Sequence, residues 1–215
     1  MDFKLSKEKE NLRNEIWNSL KEKGLSKRPE GDKGKIPDFR GSKAAAQRLS
    51  RTIEWSRADL IFCSPDTAQR PVRKLALEHE KDLIMATPKI EQGYILLKGK
   101  SLKEKSKTAS TINGAFKYGK RIDKLPKVDL VVEGSVAVDK NGKRLGKGGG
   151  YADIEISELL KQKSIEFSTP IVTTIHPLQI VTKVPVESHD QKINMIVTPN
   201  EVIRLLQDPE LAIVY

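Results

Sequence analysis

The chain has 215 residues, of which 39 are Lys or Arg and 29 are Asp or Glu, so its formal net charge is +10 at pH 7. This length suits one domain with a sizeable core, and the interspersed charges argue against wholesale disorder. No apolar run approaches the roughly 20 residues of a membrane-spanning helix. The single cysteine excludes an internal disulfide. Residues 1–9 lack the apolar core of a signal peptide, so we expect a cytoplasmic protein.

The basic excess allows two interpretations. It suits a protein that binds nucleic acid or a small polyanion such as a nucleotide. It equally suits the Lys/Glu-rich surface of heat-adapted proteins. No helix-turn-helix, zinc-finger or aromatic RNP motif accompanies the charge, so nucleic acid is not favoured, although the charge leaves it open.

The first part of the chain predicts helices and a loop. Apolar residues recur every four positions over residues 6–23, which indicates an amphipathic helix. Residues 27–35 are rich in Gly, Pro and Lys and are typical of a loop. We therefore expect residues 1–35 to form an N-terminal helix and loop within a single domain that spans the chain. A second helix is predicted over residues 42–55.

A strand–helix–strand unit follows. Residues 59–63 and 83–87 are short apolar runs, and a helix is predicted between them over residues 68–81. This order implies parallel pairing of the two strands. Residues 98–124 are lysine-rich and poorly periodic, so we expect a long, mobile loop there.

The second half repeats the alternation of strands and helices. Strands are predicted over residues 128–138, 171–175 and 195–198, and helices over residues 154–163 and 199–207. Asn141-Gly142 is a turn signal. Short apolar strands that alternate with helices predict an α/β fold, with a mostly parallel sheet and helices on both faces.

The segment RLGKGGGYAD, residues 144–153, is the most informative about function. Its glycines let backbone N–H groups turn inward as an anion-binding nest, and the following helix adds partial positive charge. Arg144 and Lys147 add full charges, and Asp153 in the first helical turn would approach a bound phosphate through a bridging Mg²⁺. Tyr151 stands where the dinucleotide-binding motif requires glycine. The alternative is a flexible loop with solvated lysines.

Lys9 and Arg13 lie four residues apart on the first predicted helix. Like charges at this spacing cost about 0.2–0.5 kcal/mol unless something offsets them. A bound anion would do so, and so would the neighbouring Glu8 and Glu10, which leaves both interpretations open. Cys63 falls in a predicted buried strand, which favours core packing over nucleophilic catalysis.

Three motifs, in the expected order, resemble the 5-formyltetrahydrofolate cyclo-ligase family, also called methenyltetrahydrofolate synthetases. They are Lys9-x-x-Leu12-Arg13, the strand and glycine loop from VDLVV at 128–132 through Tyr151, and the segment from VPV at 184–186 through Val197-Thr198. IPDFRGS at 36–42 and YAD at 151–153 are similar to the branch of methenyltetrahydrofolate synthetase domain-containing proteins and their short archaeal relatives.

The resemblance implies an α/β sandwich related to sugar-isomerase and CoA-transferase-like folds. It also implies an ATP- and Mg²⁺-dependent enzyme that converts 5-formyltetrahydrofolate, or a related formyl-pterin, to 5,10-methenyltetrahydrofolate with release of ADP and phosphate. Arg144 would be catalytic, and Asp153 and Asp190 would bind Mg²⁺. The expected ATP-binding residues are Lys9, Arg13, Arg144, Leu145, Gly146, Lys147, Gly148, Gly149, Gly150 and Tyr151. The expected partners are these small molecules, with no membrane.

The chain departs from the family pattern at three places. Ala152 replaces an aromatic residue, and Asn194 replaces a second C-terminal aspartate. Residues 65–70 contain no clear match for the family's folate-contacting glutamate. Two alternatives therefore remain: an ATP-binding homologue with a different substrate, and a non-catalytic protein that binds a nucleotide or RNA.

Overall fold

The computed structural model describes residues 3–187 and 190–205. The helices are α1 Phe3–Glu22, α2 Ser42–Leu49, α3 Ile53–Arg57, α4 Arg70–Glu78, α5 Gly99–Leu102, α6 Ser106–Ala109, α7 Ile112–Tyr118 and α8 Tyr151–Lys161. The strands are β1 Leu60–Cys63, β2 Asp82–Ala86, β3 Tyr94–Leu97, β4 Lys120–Ile122, β5 Leu130–Glu133, β6 Ala137–Asp139, β7 Arg144–Leu145, β8 Ile171–Thr174, β9 Ile180–Val181, β10 Met195–Val197 and β11 Val202–Arg204. In this part of the chain no helix has the length and apolar character that a membrane span requires.

Most strands belong to one eight-stranded sheet, in the order β11-β10-β8-β5-β1-β2-β3-β4. The central strands from β10 to β2 run parallel, and antiparallel pairs form at both edges. A smaller three-stranded sheet has the order β7-β6-β9. The predicted α/β fold with a mostly parallel sheet is confirmed.

The central strands are buried on both faces because their side chains alternate between two cores. On β1, Ile61 and Cys63 join a cluster that contains residues of α2 and α4. Phe62, which points the other way, packs in a cluster with Ile156 and Leu159 of α8. Helices therefore cover both faces, as predicted. Burial raises the pKa of the Cys63 thiol to about 12, which fits a core residue rather than a nucleophile.

The prediction of a long loop over residues 98–124 is wrong, because this stretch forms α5, α6, α7 and β4. Leu102, Ala109 and Ala115 are buried in the main core. The Thr111 hydroxyl caps α7 by accepting a hydrogen bond from the backbone N–H of Gly114. These elements have only three to seven residues, too short for apolar periodicity to show in a lysine-rich sequence.

The single strand predicted over residues 128–138 is two strands in different sheets. β5 ends at Glu133 in the large sheet, and β6 begins at Ala137 in the small one. The chain changes sheets through Gly134-Ser135, where a Cβ on Gly134 would lie only 3.0 Å from Asp66 Oδ2. The apolar run continues through this change because both strands are buried.

Two further expectations need correction, and one strand was missed. The helix predicted over 42–55 is split into α2 and α3, because Thr52 accepts a hydrogen bond from the backbone N–H of Trp55 and starts a new helix. The helix predicted over 199–207 is wrong. Val202–Arg204 instead forms the antiparallel edge strand β11, while residues 206 and 207 lie outside the described part. Strand β3, beside β2, was not predicted.

Candidate active site

The candidate site lies at the carboxyl edge of the large sheet. β2, the next strand of this sheet after β1 in the chain, lies on one side of β1. β5 lies on the other side of β1, and the next strand of this sheet in the chain, β8, lies beyond β5. The strand order thus reverses between β1 and β5, and α/β proteins bind ligands in the crevice at such a point. Ser64 and Asp66 follow β1, Thr87 follows β2, and Glu133 ends β5. These four residues line one cavity.

The glycine-rich loop of residues 146–150 crosses this edge between β7 and α8. Gly148 and Gly150 have φ angles of 110° and 67°, which strain any residue with a Cβ. At Gly149 a Cβ would lie 2.5 Å from the Tyr151 ring. Gly150 precedes α8 and provides no side-chain cap. The first N–H groups of this helix therefore have no capping side chain, and they favour an anion.

Lys9 and Arg13 approach this loop from α1. Arg13 Nε donates to the Gly146 carbonyl at 2.9 Å, and Arg13 Nη1 contacts Glu10. Lys9 Nζ lies 2.7 Å from Asp190 and 3.1 Å from Glu187. Burial by itself lowers the pKa of Lys9, but these carboxylates outweigh it and the pKa is raised. Acidic neighbours thus offset the two charges while keeping both cations beside the glycine loop.

Arg144 is the buried centre of the site. Its Nη2 donates to Asp153 Oδ1 at 2.9 Å, and its Nη1 donates to the Gly134 carbonyl at 3.3 Å. Asp153 Oδ1 also accepts from the backbone N–H of Gln191. The Arg144 side chain therefore links Gly134, which follows β5, to Asp153 in the first turn of α8. Its positive charge lies beside Gly146 of the glycine-rich loop.

Two cavities meet at this arginine. An inner cavity of about 290 Å³ opens over the strand ends, and an outer cavity of about 600 Å³ opens toward α1. The residues that line both are Arg144, Gly146, Gly150 and Asp153. Any two ligands that fill the cavities together would approach each other at Arg144.

The sequence-predicted site residues divide between these cavities. The outer cavity is lined by Lys9, Arg13, Arg144, Leu145, Gly146, Gly148, Gly150, Asp153 and Asp190. Lys147, Gly149 and Tyr151 line only the inner cavity. Lys147 Nζ lies 2.7 Å from Asp66 Oδ1 and so joins the loop to the end of β1. Within residues 3–187 and 190–205, no group of three or more His, Cys, Asp or Glu side chains could hold a metal by itself.

A buried carboxyl pair, Glu133 and Glu155, lines the inner cavity and escaped prediction. Burial raises the pKa of Glu133 well above its ordinary range, and the like charge of Glu155 raises it further. Burial also raises the pKa of Glu155 to about 7, although its hydrogen bond with Glu133 opposes this. The sequence feature that could have indicated Glu133 is its position as the single acidic residue inside the apolar run VVEGSVAV.

This pair makes stability depend on pH. The pKa of Glu155 is about 7 when folded against 4.5 as the ordinary value, so between these values the native state binds more protons. Its contribution to the free energy of unfolding therefore falls as pH rises from about 5 to about 7. We expect Glu155→Gln to remove this fall, so that the variant gains stability relative to wild type with rising pH.

Urea denaturation at pH 5, 6, 7 and 8 measures this difference. Glu158→Gln, one turn along α8, controls for the loss of a negative charge on the same helix. A constant difference between Glu155→Gln and wild type across this range would contradict the prediction.

The sequence as a whole identifies the family. The family model described as the 5-formyltetrahydrofolate cyclo-ligase family matches residues 5–199. The chain belongs to this family. It is 34% identical over 203 residues to the human methenyltetrahydrofolate synthase domain-containing protein, and 33% identical over 202 residues to the protein of that name from Bos taurus. Each match covers 91% of this chain and 53% of the relative, so the chain spans about half the length of these relatives.

One shorter sequence match and two solved structures are also similar to this chain. The 5-formyltetrahydrofolate cyclo-ligase of Escherichia coli (strain K12) is 36% identical over 78 residues, which is 36% of this chain and 40% of that protein. The Aquifex aeolicus 5,10-methenyltetrahydrofolate synthetase superposes with a TM-score of 0.59 at 22% identity, over 95% of this chain and 94% of that one. The Mycoplasma pneumoniae enzyme of that name superposes at 0.52 and 12% identity, over 92% and 98%. These proteins share the fold.

Proposed function

We propose that the protein is a cytoplasmic, ATP- and Mg²⁺-dependent cyclo-ligase. It converts 5-formyltetrahydrofolate, or a related formyl-pterin, to 5,10-methenyltetrahydrofolate and releases ADP and phosphate. The observation that carries this proposal is the meeting of the inner and outer cavities at Arg144. Phosphoryl transfer depends on positioning donor and acceptor together and on neutralising the charge that develops between them.

The outer cavity suits ATP. Its volume of about 600 Å³ lies within the range of about 300–1,000 Å³ that is usual for small-molecule sites. The glycine loop and the first turn of α8 supply backbone N–H groups, and Lys9, Arg13 and Arg144 supply positive charge. This combination stabilises a triphosphate whose terminal group faces Arg144.

The outer cavity also fits Mg²⁺ that arrives with the nucleotide. Mg²⁺ is usually held by one or two carboxylates together with phosphate oxygens and water. Asp153 and Asp190 both line this cavity, each paired with a cation, Arg144 or Lys9. A triphosphate competes for these cations and so makes carboxylate oxygens available. The bound ion would neutralise phosphate charge.

The inner cavity suits the formyl-pterin. Ile36, Ile112 and Tyr151 give it apolar and aromatic walls, while Arg144 lies where it joins the outer cavity. In the reaction the formyl oxygen takes the terminal phosphoryl group, and N10 attacks the activated carbon. N10 loses its proton, and phosphate leaves. Arg144 stabilises the charge on the transferred group, which is the usual role of an arginine in such a step.

The test mixes purified protein with Mg·ATP and 5-formyltetrahydrofolate and follows methenyltetrahydrofolate absorbance together with ADP. We expect the two products to form in equal amounts. Tetrahydrofolate, which has no formyl oxygen to phosphorylate, is the matched control and should release no ADP. Bound ATP without methenyltetrahydrofolate formation would contradict the proposal.

One observation favours a second candidate, an ATP-binding homologue with a different acid or amide substrate. Residues 65–70 contain no clear match for the family's folate-contacting glutamate, and Asp66, the acid in this segment, is paired with Lys147. ADP release with such a substrate, but with no formyl-pterin, would favour this candidate.

A further inference from the structure

Three buried polar atoms belong to residues that line the inner cavity and have no hydrogen-bond partner. They are Ser64 Oγ, Glu133 Oε1 and Arg144 Nε. The one other such side-chain atom in the described residues is Gln69 Oε1, which lies 3.1 Å from the Cβ position of Gly134 beside the same cavity. Buried polar groups are nearly always satisfied, because an unmade hydrogen bond costs stability. Their concentration here indicates that a polar ligand completes the site.

Glu133 differs from the other acids that line this cavity. Asp66 is paired with Lys147, and Asp153 is paired with Arg144. Glu133 is only 1% exposed, and after burial the like charge of Glu155 is the largest influence on its pKa, with Arg144 acting in the opposite direction. It has no ion pair with any side chain in residues 3–187 and 190–205. Its unused acceptor oxygen therefore requires a ligand that brings N–H groups.

The substrate class of the proposed function offers such groups. The pyrimidinone edge of a 2-amino-4-oxo-pterin carries a ring N–H and an amino N–H side by side. Because the Glu133 carboxyl is already hydrogen-bonded with Glu155, its unpartnered Oε1 offers one acceptor, which the amino N–H can fill. The hydroxyl of Ser64 can bond the neighbouring 4-oxo group, and Tyr151 supplies an aromatic wall for the ring.

We propose that Glu133 recognises the 2-aminopyrimidin-4-one edge of the substrate by accepting a hydrogen bond from its 2-amino group at Oε1. This inference rests on the proposed function and names the residue that selects the heterocycle. Glu133 ends β5 at the floor of the inner cavity, and Glu155 lies against it on α8. The pterin ring therefore enters with this edge innermost, which leaves its substituted side toward the outer cavity.

The test uses ligands that differ at one group. Pterin-6-carboxylate carries the 2-amino group, and lumazine-6-carboxylate carries a second oxo group in its place. We expect wild type to bind the pterin at least ten times more tightly, because the 2-oxo group of lumazine has no hydrogen to donate to Glu133 Oε1. This comparison is independent of any variant's folding. Equal affinity for the two compounds would overturn the inference.

Glu133→Leu then assigns the discrimination to this residue. Leucine has a similar volume and no acceptor atom, so we expect the tenfold preference to be lost while Mg·ATP binds within twofold of wild type. Asp66→Asn, which removes another acid from the same cavity, should keep the preference. Equal loss in both variants would mean that the general negative potential selects the ligand, and would overturn the assignment.

Methenyltetrahydrofolate formation separates this inference from the proposed function. Turnover by wild type without discrimination between pterin and lumazine refutes the role of Glu133 alone. No turnover and no binding of 5-formyltetrahydrofolate refutes the proposed function as well.

Discussion

Arg144→Met is expected to lower the rate of methenyltetrahydrofolate formation by about a thousandfold or more. An arginine that stabilises a transferred phosphoryl group contributes about 10³–10⁵ to kcat in related chemistry. Arg144 is buried, and among the described residues it is the one cation that lines both the inner and the outer cavity. Steady-state kinetics with saturating ATP and 5-formyltetrahydrofolate measures the loss.

Stability must be separated from catalysis in this variant. Arg144→Met leaves Asp153 without its cation, so we expect a lower Tm as well. The double variant Arg144→Met/Asp153→Asn removes the unpaired charge and should recover most of the Tm, which accounts for the loss of stability. Arg121→Met, on the edge strand β4, controls for the loss of one positive charge. Turnover of folded Arg144→Met within tenfold of wild type, measured well below its Tm, would contradict a catalytic role for Arg144.

Asp153→Asn alone is expected to lower turnover by about a hundredfold and to raise the Mg²⁺ concentration needed for half-maximal rate. The amide oxygen can still accept hydrogen bonds from Arg144 and from the Gln191 N–H. The variant nevertheless leaves the buried Arg144 without its anion, so we expect a lower Tm as well.

Titrating Mg²⁺ at fixed ATP measures this effect beside thermal unfolding. Glu104→Gln removes an exposed carboxylate that lines neither cavity and should leave the Mg²⁺ requirement unchanged. A lower Tm with an unchanged Mg²⁺ requirement would make Asp153 chiefly a residue that pairs with Arg144 and starts α8.

Much of the central sheet could be predicted from the sequence, because its strands are short apolar runs buried on both faces. The glycine loop was also predictable, since its backbone conformation at Gly148 and Gly150 requires that residue type. The division of β5 from β6 was not, because both strands are equally apolar. The helices over residues 98–124 were missed because each is shorter than the window in which periodicity appears.

The sequence indicated several individual site residues, but it did not indicate which of them contact one another. Lys9 and Asp190 were expected to bind phosphate and metal, and the structure joins them across 181 positions of sequence. No local pattern encodes such a contact. Glu133 and Glu155 escaped notice for the same reason, since a buried acid becomes informative only when its neighbours and its unmade hydrogen bonds are known.

A crystal structure of the protein with Mg²⁺ and a non-hydrolysable ATP analogue tests most directly whether the two cavities meet at the reacting phosphate. We expect the triphosphate along the glycine loop in the outer cavity, with its terminal phosphate within hydrogen-bond distance of the Arg144 guanidinium. A nucleotide whose terminal phosphate faces away from Arg144 and the inner cavity would contradict the proposed transfer.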